Sequence, residues 1–265
     1  MTGSGTNTYF YGSESGCIVV DPGPNDPVHR DAIVVTAPRS IQAVAVTHTH
    51  RDHSPAAMPL AASLGVPVFG MPPPATPEND HGFAPDVVLA DGGVVPLQGG
   101  APLQVVHTPG HASNHLCYLT PDGVLLTGDH IMQGSTVVIM PPDGDMHDYL
   151  HSLRRLLDLS LTAIAPGHGT LITDPPAEIV GLLRHRLARE RKIATVLQGA
   201  QPCDIDTLVR LAYDDVAPVL WPLARRSLEA HLFRLERLEL IRQSRVGWCE
   251  YDHGTLDAAV HWETL

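Results

Sequence analysis

The stretch that decides the fold is Ala43-Val-Ala-Val-Thr-His-Thr-His-Arg-Asp-His53. It begins with an apolar run typical of a buried strand and ends in four side chains that bind metals: His48, His50, Asp52 and His53. In an extended chain His48 and His50 point to the same side, and the other two follow where the backbone turns. Three imidazoles and a carboxylate this close together are costly without a shared cation. The stretch therefore predicts a metal site at the end of a strand.

Three further motifs repeat the arrangement of an apolar run followed by a potential ligand beside a glycine. They are Pro109-Gly-His111, Gly128-Asp129 and Pro166-Gly-His168-Gly169. Glycine permits the sharp turns and close backbone approach that a crowded site needs. Seven donors exceed the four ligands of one tetrahedral ion and suit two divalent ions with Asp129 between them. The predicted ligands are His48, His50, Asp52, His53, His111, Asp129 and His168.

These motifs, in this order, resemble those of the metallo-β-lactamase superfamily, and the resemblance covers nearly the whole chain. It implies one ion held by His48, His50 and His111, a second held by Asp52, His53 and His168, and Asp129 as the bridge. It also implies that a hydroxide between the ions is the nucleophile, because two cations lower the pKa of bound water. Asp52 is also predicted to be catalytic, by orienting this hydroxide or passing a proton to the leaving group. Zinc is the expected metal, with iron and manganese as alternatives.

The rest of the chain alternates short apolar runs with helical stretches. Strands are predicted at 8–11, 17–20, 43–46 and 66–69 and as a meander between 87 and 126; helices are predicted after Pro27, at 148–159 and at 177–197. Ser54 and Pro55 predict the N-cap and first position of a helix that ends near Gly65, with a kink at Pro59. This order predicts two sheets packed face to face with helices outside. The fold class is α+β, and the resemblance identifies it as an αββα sandwich.

Composition and charge limit the function classes. Hydrophobic residues make up 43% of the 265 residues, and the formal net charge is −12. Such a charge argues against non-specific attraction to nucleic acid or to an anionic membrane. Residues 1–12 hold no Lys or Arg, and no segment approaches eighteen consecutive apolar residues, so a cytoplasmic protein without a membrane span is expected. The four cysteines (Cys17, Cys117, Cys203 and Cys249) lie far apart and are expected to be buried thiols.

Residues 130–167, between two predicted ligands, are the expected substrate-facing region. Ser135 and Thr136 are either loop residues there or hydrogen-bond donors to a substrate oxygen. Asp21, at the start of a Pro-Gly-Pro turn, is predicted to be a turn residue, a support for a metal ligand, or both. Four other histidines are expected beneath the site or on the surface: His115, His130, His147 and His151.

The helix predicted at 177–197 is amphipathic and positively charged. Its cations are Arg184, Arg186, Arg189, Arg191 and Lys192. Two interpretations stay open for them. They could bind the phosphates of a substrate, or they could form an ordinary solvated face.

The C-terminal part has the element order of a winged helix. It predicts a short helix from Asp204 or Asp206 to Tyr213, a longer one at 220–240 and a hairpin at 241–251. We therefore divide the chain into a catalytic domain, 1–183, and a winged-helix-like domain, 184–265. From residue 199 onward seven arginines stand against eleven acidic residues, so stand-alone DNA binding is not expected. The domain is expected to pack against the catalytic domain, shape its cleft, or mediate homodimerisation.

Residues 184–240 also resemble the winged helix of one superfamily branch, that of lactamase-beta-like protein 2, whose animal member is an endoribonuclease acting on single-stranded RNA. The resemblance implies a phosphodiesterase of that kind. The alternative is a small-molecule hydrolase: a thioesterase like glyoxalase II, although relatives of that kind lack this winged helix, or a lactonase. Met132 counts against a lactonase, which generally has tyrosine there. Asp129, where β-lactamases of the superfamily have cysteine or serine, implies weak or no β-lactamase activity. A binding protein that keeps the metal only for structure is the non-enzymatic alternative.

Overall fold

Two five-stranded sheets face each other in the first part of the chain. The computed structural model describes residues 5–199, 203–244 and 247–250. The first sheet contains, in hydrogen-bonded order, β1 (Tyr9–Gly12), β2 (Cys17–Val20), β3 (Ile41–Ala45), β4 (Val68–Gly70) and β5 (Val87–Val88). The second contains, also in that order, β6 (Val94–Val95), β7 (Leu103–His107), β8 (Leu116–Leu119), β9 (Val124–Gly128) and β10 (Ala163–Pro166).

The helices cover the sheets and build the C-terminal part. In the described ranges the α-helices are α1 (Pro27–Thr36), α2 (Ala57–Leu64), α3 (Met146–Leu156), α4 (Pro175–Gly199), α5 (Ile205–Ala212) and α6 (Trp221–Arg237). A hairpin of β11 (Ile241–Ser244) and β12 (Gly247–Glu250) follows α6. Helix, helix and hairpin give the predicted winged helix.

Strand β3 is buried on both faces of the first sheet. Ala43 and Ala45 pack into the apolar layer between the two sheets. Val44 points the other way and packs in one cluster with Ile33 of α1 and Leu60 of α2. Alternation of side chains along a strand explains why the whole run is apolar.

The second sheet is covered by α3 and α4 on its outer face. Leu125 of β9 and Ile164 of β10 pack in one cluster with Leu150 of α3 and Leu183 of α4. Helices, two sheets and helices thus form four layers. The predicted αββα sandwich is confirmed.

Helix α4 belongs to two hydrophobic cores. Ile179 and Leu183, in its first half, pack in the catalytic core. Ile193 and Leu197, in its second half, pack with α5 and α6 in the core of the winged helix. The boundary predicted between residues 183 and 184 lies inside this continuous helix, and it stays a prediction.

The start of α2 differs from the prediction. Ser54 is not an N-cap: its hydroxyl donates to Asp80 Oδ2 at 3.1 Å, and the helix begins only at Ala57, without a side-chain cap. The intervening residues form turns on the carbonyl oxygen of His50, which accepts from the amides of His53 at 3.0 Å and Ser54 at 3.2 Å. These turns place His53 in the site. Pro59 falls in the first helical turn, where its missing N–H would have no partner.

Other boundaries shift by a few residues. The strand predicted at 66–69 lies at Val68–Gly70, and the helix predicted at 148–159 is Met146–Leu156. Asp145 caps that helix, because its carboxylate accepts from the amides of His147 at 2.7 Å and Asp148 at 3.0 Å. The last residue of the predicted hairpin, at 251, lies outside the described residues.

Three cysteines occupy the predicted environment. Cys17, Cys117 and Cys203 are free and buried, and the side chain of Cys249 lies outside the described part. Among the helices of the described ranges, none is both long and apolar enough to cross a membrane.

Candidate metal centre

The predicted ligands lie where strands of both sheets end. His48 to His53 follow β3, His111 follows β7, Asp129 follows β9 and His168 follows β10. The structure brings all seven together in three overlapping groups whose donor atoms lie within 4.8 Å of one another. The groups are His48, His50 and His111; His48, His53 and Asp129; and Asp52, His53 and His168. Their assignment as ligands stays a prediction.

Three imidazoles converge in the first group. Nδ1 of His50 lies 3.0 Å from Nε2 of His48 and 2.9 Å from Nε2 of His111. The three rings are steeply inclined to one another, with interplanar angles of 75° to 89°. Three nitrogens aimed at one small volume are the arrangement expected for three ligands of one metal ion.

Carboxylates dominate the second and third groups. Nε2 of His168 lies 3.2 Å from Asp52 Oδ2 and 3.3 Å from Asp129 Oδ1, and Nε2 of His53 lies 3.3 Å from the same Asp129 oxygen. The other Asp129 oxygen, Oδ2, lies 3.8 Å from Nε2 of His111. Each oxygen of Asp129 therefore faces a different group of histidines. This is the geometry that a bridging carboxylate needs.

Hydrogen bonds behind the ligands fix which ring nitrogen faces the site. Nδ1 of His111 donates to the carbonyl oxygen of Val138 at 2.7 Å, and Nδ1 of His168 donates to that of Gly5 at 2.9 Å. Carbonyl oxygens only accept, so both histidines carry a proton on Nδ1 and direct Nε2 toward the site. Such outer contacts orient metal-binding histidines and strengthen them as ligands.

Asp21 is both a turn residue and a support for the ligands. It is buried, and its backbone has a positive φ of 53°, which Asp tolerates better than most residues. Its Oδ1 accepts from the amide of Thr47 at 2.7 Å, and its Oδ2 accepts from Nδ1 of His53 at 2.9 Å and from the Thr47 hydroxyl at 2.7 Å. That hydroxyl lies 3.0 Å from Nδ1 of His48. One carboxylate thus orients His53 directly and His48 through Thr47.

Burial keeps the first group of histidines neutral. Burial and the neighbouring His111 and His53 lower the pKa of His50 to about 3. The pKa of His48 is well below its ordinary value for the same kind of reason, and burial also lowers that of His111. A neutral imidazole offers the lone pair that a metal ion requires.

The second and third groups attract positive charge instead. Burial disfavours the charged form of His168, but Asp129 and Asp52 outweigh it and raise its pKa to about 10. Burial likewise opposes charge on His53, yet Asp129 and Asp21 raise its pKa well above the ordinary value. For Asp129, burial is outweighed by these histidines, which hold its pKa well below the ordinary value. A divalent cation would supply the positive charge that neutralises these carboxylates.

Unsatisfied atoms point to the same conclusion. Within the described residues, His53 Nε2, Asp129 Oδ1 and His168 Nε2 are buried without a hydrogen-bond partner. A buried unsatisfied polar group costs about 1–3 kcal/mol. Cations coordinated by these atoms would remove that cost, so the residues present fit divalent metal ions.

Two of the four further histidines lie beneath the site. His115 and His130 are fully buried, and the His115 ring centroid lies 4.9 Å from that of His48 and 5.8 Å from that of His130. Nδ1 of His115 lies 2.9 Å from the hydroxyl of Thr108. His151 is exposed and His147 is half-buried. The first two form part of the floor of the site, and the last two belong to the surface of α3.

A cleft of about 340 Å³ opens from the metal centre toward the winged helix. His111, Asp129 and His168 line its catalytic side, together with Ser135 and Thr136. The opposite wall consists of Tyr213, Val216, Leu220, Leu223, Ala224 and Ser227. The winged helix therefore packs against the catalytic part and shapes its cleft, two of the three expected roles. Homodimerisation stays a prediction.

Sequence reasoning missed the outer supports and the far wall of the cleft. Val138 and Gly5 act through backbone carbonyl groups, which no side-chain pattern reveals. Tyr213 and Leu223 lie on elements more than forty residues beyond the last ligand motif. An apolar residue exposed on a cleft wall has the same sequence signature as one in a core.

Fold and site together define a metal-dependent hydrolase, in which histidines and carboxylates cluster at the ends of strands. The sequence matches the metallo-beta-lactamase superfamily over residues 1–168 and the beta-lactamase associated winged helix domain over residues 205–248. The chain belongs to the metallo-beta-lactamase superfamily and carries the winged helix associated with it. The resemblance derived from the ligand motifs is confirmed.

Relatives show how much of the chain is shared. The beta-lactamase-like protein 2 homolog of Drosophila melanogaster is 30% identical over 265 residues, covering 92% of this chain and 87% of the relative. An atrochrysone carboxyl ACP thioesterase of Aspergillus chevalieri is 34% identical over 205 residues, covering 74% of this chain and 62% of the relative. A metallo-beta-lactamase family protein from Thermus thermophilus shares the fold, with a TM-score of 0.75 and 20% identity over 93% of this chain and 94% of that protein.

Proposed function

We propose that the protein is a dinuclear metal-dependent thioesterase that cleaves small acyl thioesters into a carboxylic acid and a thiol. The observation that carries this proposal is the cleft, which joins the predicted metal ligands to a largely apolar wall of the winged helix. Val216, Leu220 and Leu223 on that wall suit an acyl chain. A volume of about 340 Å³ suits a small ligand.

Two divalent ions bound by the seven predicted ligands, with zinc as the expected metal, would supply a hydroxide at neutral pH and polarise the thioester carbonyl. Asp52 has the environment of a proton acceptor in this reaction. Its side chain is 37% exposed, and although burial opposes ionisation, His168 and His53 lower its pKa. The Asp52 carboxyl group is therefore ionised near neutral pH. It can orient the nucleophile through a hydrogen bond and carry a proton to the departing thiolate.

The charges of α4 argue against RNA as the substrate. Arg189 forms two contacts with the Asp215 carboxylate, at 2.7 and 2.8 Å, and Lys192 pairs with Asp214 and Asp215. Cations already neutralised by acidic side chains contribute little to phosphate binding. Two of the five cations of the helix are therefore already neutralised within the protein. The thioesterase name of one relative supports the same choice.

An endoribonuclease of single-stranded RNA is the second candidate. It is favoured by the winged helix, which resembles that of the branch whose animal member is an endoribonuclease, and by the relative from Drosophila melanogaster that spans nearly the whole chain. Arg184 and Arg191 on α4 are exposed and could reach a phosphate. The cytoplasmic location remains a prediction with either candidate.

The deciding experiment compares three substrates with purified protein of known metal content. Hexanoyl-N-acetylcysteamine, a neutral thioester, is assayed beside an acyl-homoserine lactone and 5′-labelled single-stranded RNA. Thioester hydrolysis that disappears after chelation and falls strongly in Asp52→Ala is the expected result. RNA cleavage with the same two dependences, and slow thioester turnover, would instead establish the endoribonuclease. Rapid lactone turnover alone would replace both candidates.

A further inference from the structure

One wall of the cleft contains a buried cation without a counter-charge. Arg186 of α4 is 4% exposed and lines the cleft. Its guanidinium donates to the carbonyl oxygen of Val137, and Nη1 lies 3.5 Å from the hydroxyl of Ser227. Its Nε is buried without a hydrogen-bond partner within the described ranges, and no carboxylate described there forms an ion pair with it.

Neighbouring arginines of the same interface are neutralised. Arg189, three residues along α4, pairs with Asp215. Arg234 of α6 pairs with the buried carboxylate of Glu190. Burying an unpaired charge is strongly unfavourable. Since Arg186 differs from both neighbours, its counter-charge is expected to come from a molecule that enters the cleft.

Two hydroxyl groups stand beside this cation. The hydroxyl of Tyr213 is buried, lines the same cleft and lacks a hydrogen-bond partner in the described part of the chain. Ser227, which contacts Arg186, also lines the cleft. The Tyr213 ring itself is held by the guanidinium of Arg189, 4.3 Å from the ring centroid. A guanidinium and two hydroxyl donors form a small anion-binding set here, and the other arginine of the cleft, Arg189, is already paired with Asp215.

We propose that Arg186, Tyr213 and Ser227 form a carboxylate-binding subsite, and that the preferred substrate is a thioester whose acyl chain carries a second, free carboxylate. This inference rests on the proposed thioesterase function and deepens it. The metal centre takes the thioester carbonyl, the apolar wall takes the methylene chain, and the subsite takes the terminal carboxylate.

Charge matching selects a carboxylate among the anions. One unpaired guanidinium neutralises one negative charge, which a carboxylate supplies and a phosphate monoester at neutral pH exceeds. A nucleic acid strand would bring successive charges, whereas Arg189 and Lys192 are already paired with acidic side chains. The planar fork of arginine also matches the geometry of a carboxylate.

A purely structural role for Arg186 makes a different prediction. Arg186 binds the carbonyl oxygen of Val137, and the next carbonyl oxygen, that of Val138, accepts from the predicted ligand His111. If Arg186 only held this segment, its replacement would slow the hydrolysis of charged and neutral substrates alike. A subsite affects only the charged ones.

The test uses the metal-loaded, full-length protein and N-acetylcysteamine thioesters, whose thiol carries no charge. Succinyl, glutaryl, adipoyl and suberoyl thioesters are each compared with the neutral acyl thioester of the same chain length. For at least one length the charged member is expected to have a kcat/KM at least about tenfold higher, as a charge-assisted hydrogen bond provides. A neutral preference at all four lengths would overturn the proposal.

Variants then locate the preference. Arg186→Met is expected to bring the charged-to-neutral ratio close to one, and Tyr213→Phe to reduce the ratio partly. The exposed Arg184, changed to Met, removes the same charge from the same helix outside the cleft and should keep the ratio. Arg186→Lys, which keeps the charge, should retain part of it and covers the case in which Arg186→Met does not fold.

The two proposals fail in different ways. An unchanged ratio in Arg186→Met, or equal losses on both members of the pair in both Arg186 variants with normal metal content, would refute the subsite while leaving the thioesterase intact. Turnover of RNA or a lactone without turnover of any thioester refutes the thioesterase itself. In that case the subsite is refuted with it.

Discussion

The metal centre and the contact between α4 and α6 both bury histidines with carboxylates, yet they handle charge in opposite ways. At the contact, Glu190 is fully buried, and its two oxygens bind Nδ1 of His231 at 3.2 Å and the guanidinium of Arg234. In the centre, Asp129 Oδ1 lies 3.3 Å from Nε2 of both His53 and His168, and none of these three atoms makes a hydrogen bond within the described residues. Where the protein itself supplies the cation, as Arg234 does for Glu190, the buried carboxylate stabilises a structural contact. Where the carboxylate lacks such a partner, as Asp129 does, it is available to bind a metal ion.

The substitution expected to have the largest effect on either region is Asp129→Asn. The amide has neither the charge nor the two equivalent oxygens of a bridge, so bound metal should fall to one ion or less per chain. Thioester kcat/KM should fall by about three orders of magnitude, since metal ions and preorganised charge supply much of such catalysis. Metal analysis and kinetics measure both effects. The exposed Asp158→Asn is the matched control, and two tightly bound ions in Asp129→Asn would refute the bridging assignment.

Glu190→Gln tests the other region. Removing one partner of a buried ion pair leaves Arg234 without its counter-charge, and the free energy of unfolding should decrease by about 3 kcal/mol. Chemical denaturation measures this decrease. Metal content should remain at the wild-type value, because Glu190 belongs to the α4–α6 contact. A lower metal content in the folded variant would show that the two regions are not independent.

The same pair has a defined pH dependence. Burial raises the pKa of Glu190, but His231 and Arg234 outweigh it and hold that pKa below its ordinary value of 4.5. A carboxyl group whose pKa is lowered in the folded state stabilises the protein above its unfolded-state pKa and loses this contribution as pH falls through the folded-state pKa. The stability difference between wild type and Glu190→Gln should therefore be constant above about pH 5 and shrink below 4.5. A difference that persists undiminished down to about pH 2 would contradict the pairing.

Asp21→Asn sharpens the comparison within the metal centre. Asn tolerates the positive φ of 53° at this position, so the backbone should be unchanged. It weakens the hydrogen bond that orients His53, and metal affinity should fall by about 10- to 100-fold. Competition with a chelator measures the affinity. Asp26→Asn is a suitable control, because Asn also caps helices well and should replace the Asp26 cap of α1 at little cost.

The smallest effect is expected from an exposed pair. Lys192 lies beside Asp214 and Asp215 at the protein surface, and Lys192→Gln should change the free energy of unfolding by less than about 1 kcal/mol. The change should diminish further in high salt. A loss as large as that of Glu190→Gln would mean that burial does not separate the two kinds of ion pair.

Much of the fold, and the clustering of the predicted ligands, followed from the sequence because both depend on short, local patterns. The run at 43–46 and the histidines that follow it specify a strand and its functional end within eleven residues. Helix starts were less certain. Ser54 has the right residue type for an N-cap, but its hydroxyl is taken by Asp80, and a local preference cannot reveal such a tertiary competitor.

The supports of the site required three dimensions. Gly5 binds His168 across 163 positions of sequence, through a carbonyl group that every residue possesses. Arg186 looked like one of five equivalent cations on α4. Only burial and the positions of the acidic partners separate it from Arg189, and both are properties of the packed interface.

Helix α4 also sets the rotational phase between the two halves of the molecule. It is continuous over 25 residues, and it packs in one core around Leu183 and in the other around Ile193. Each residue of an α-helix turns it by about 100° and advances it by about 1.5 Å. Inserting one residue between these two core contacts would rotate the winged helix around the helix axis, away from the metal centre. The number of residues in this segment thus fixes where the apolar wall of the winged helix lies relative to the metal centre.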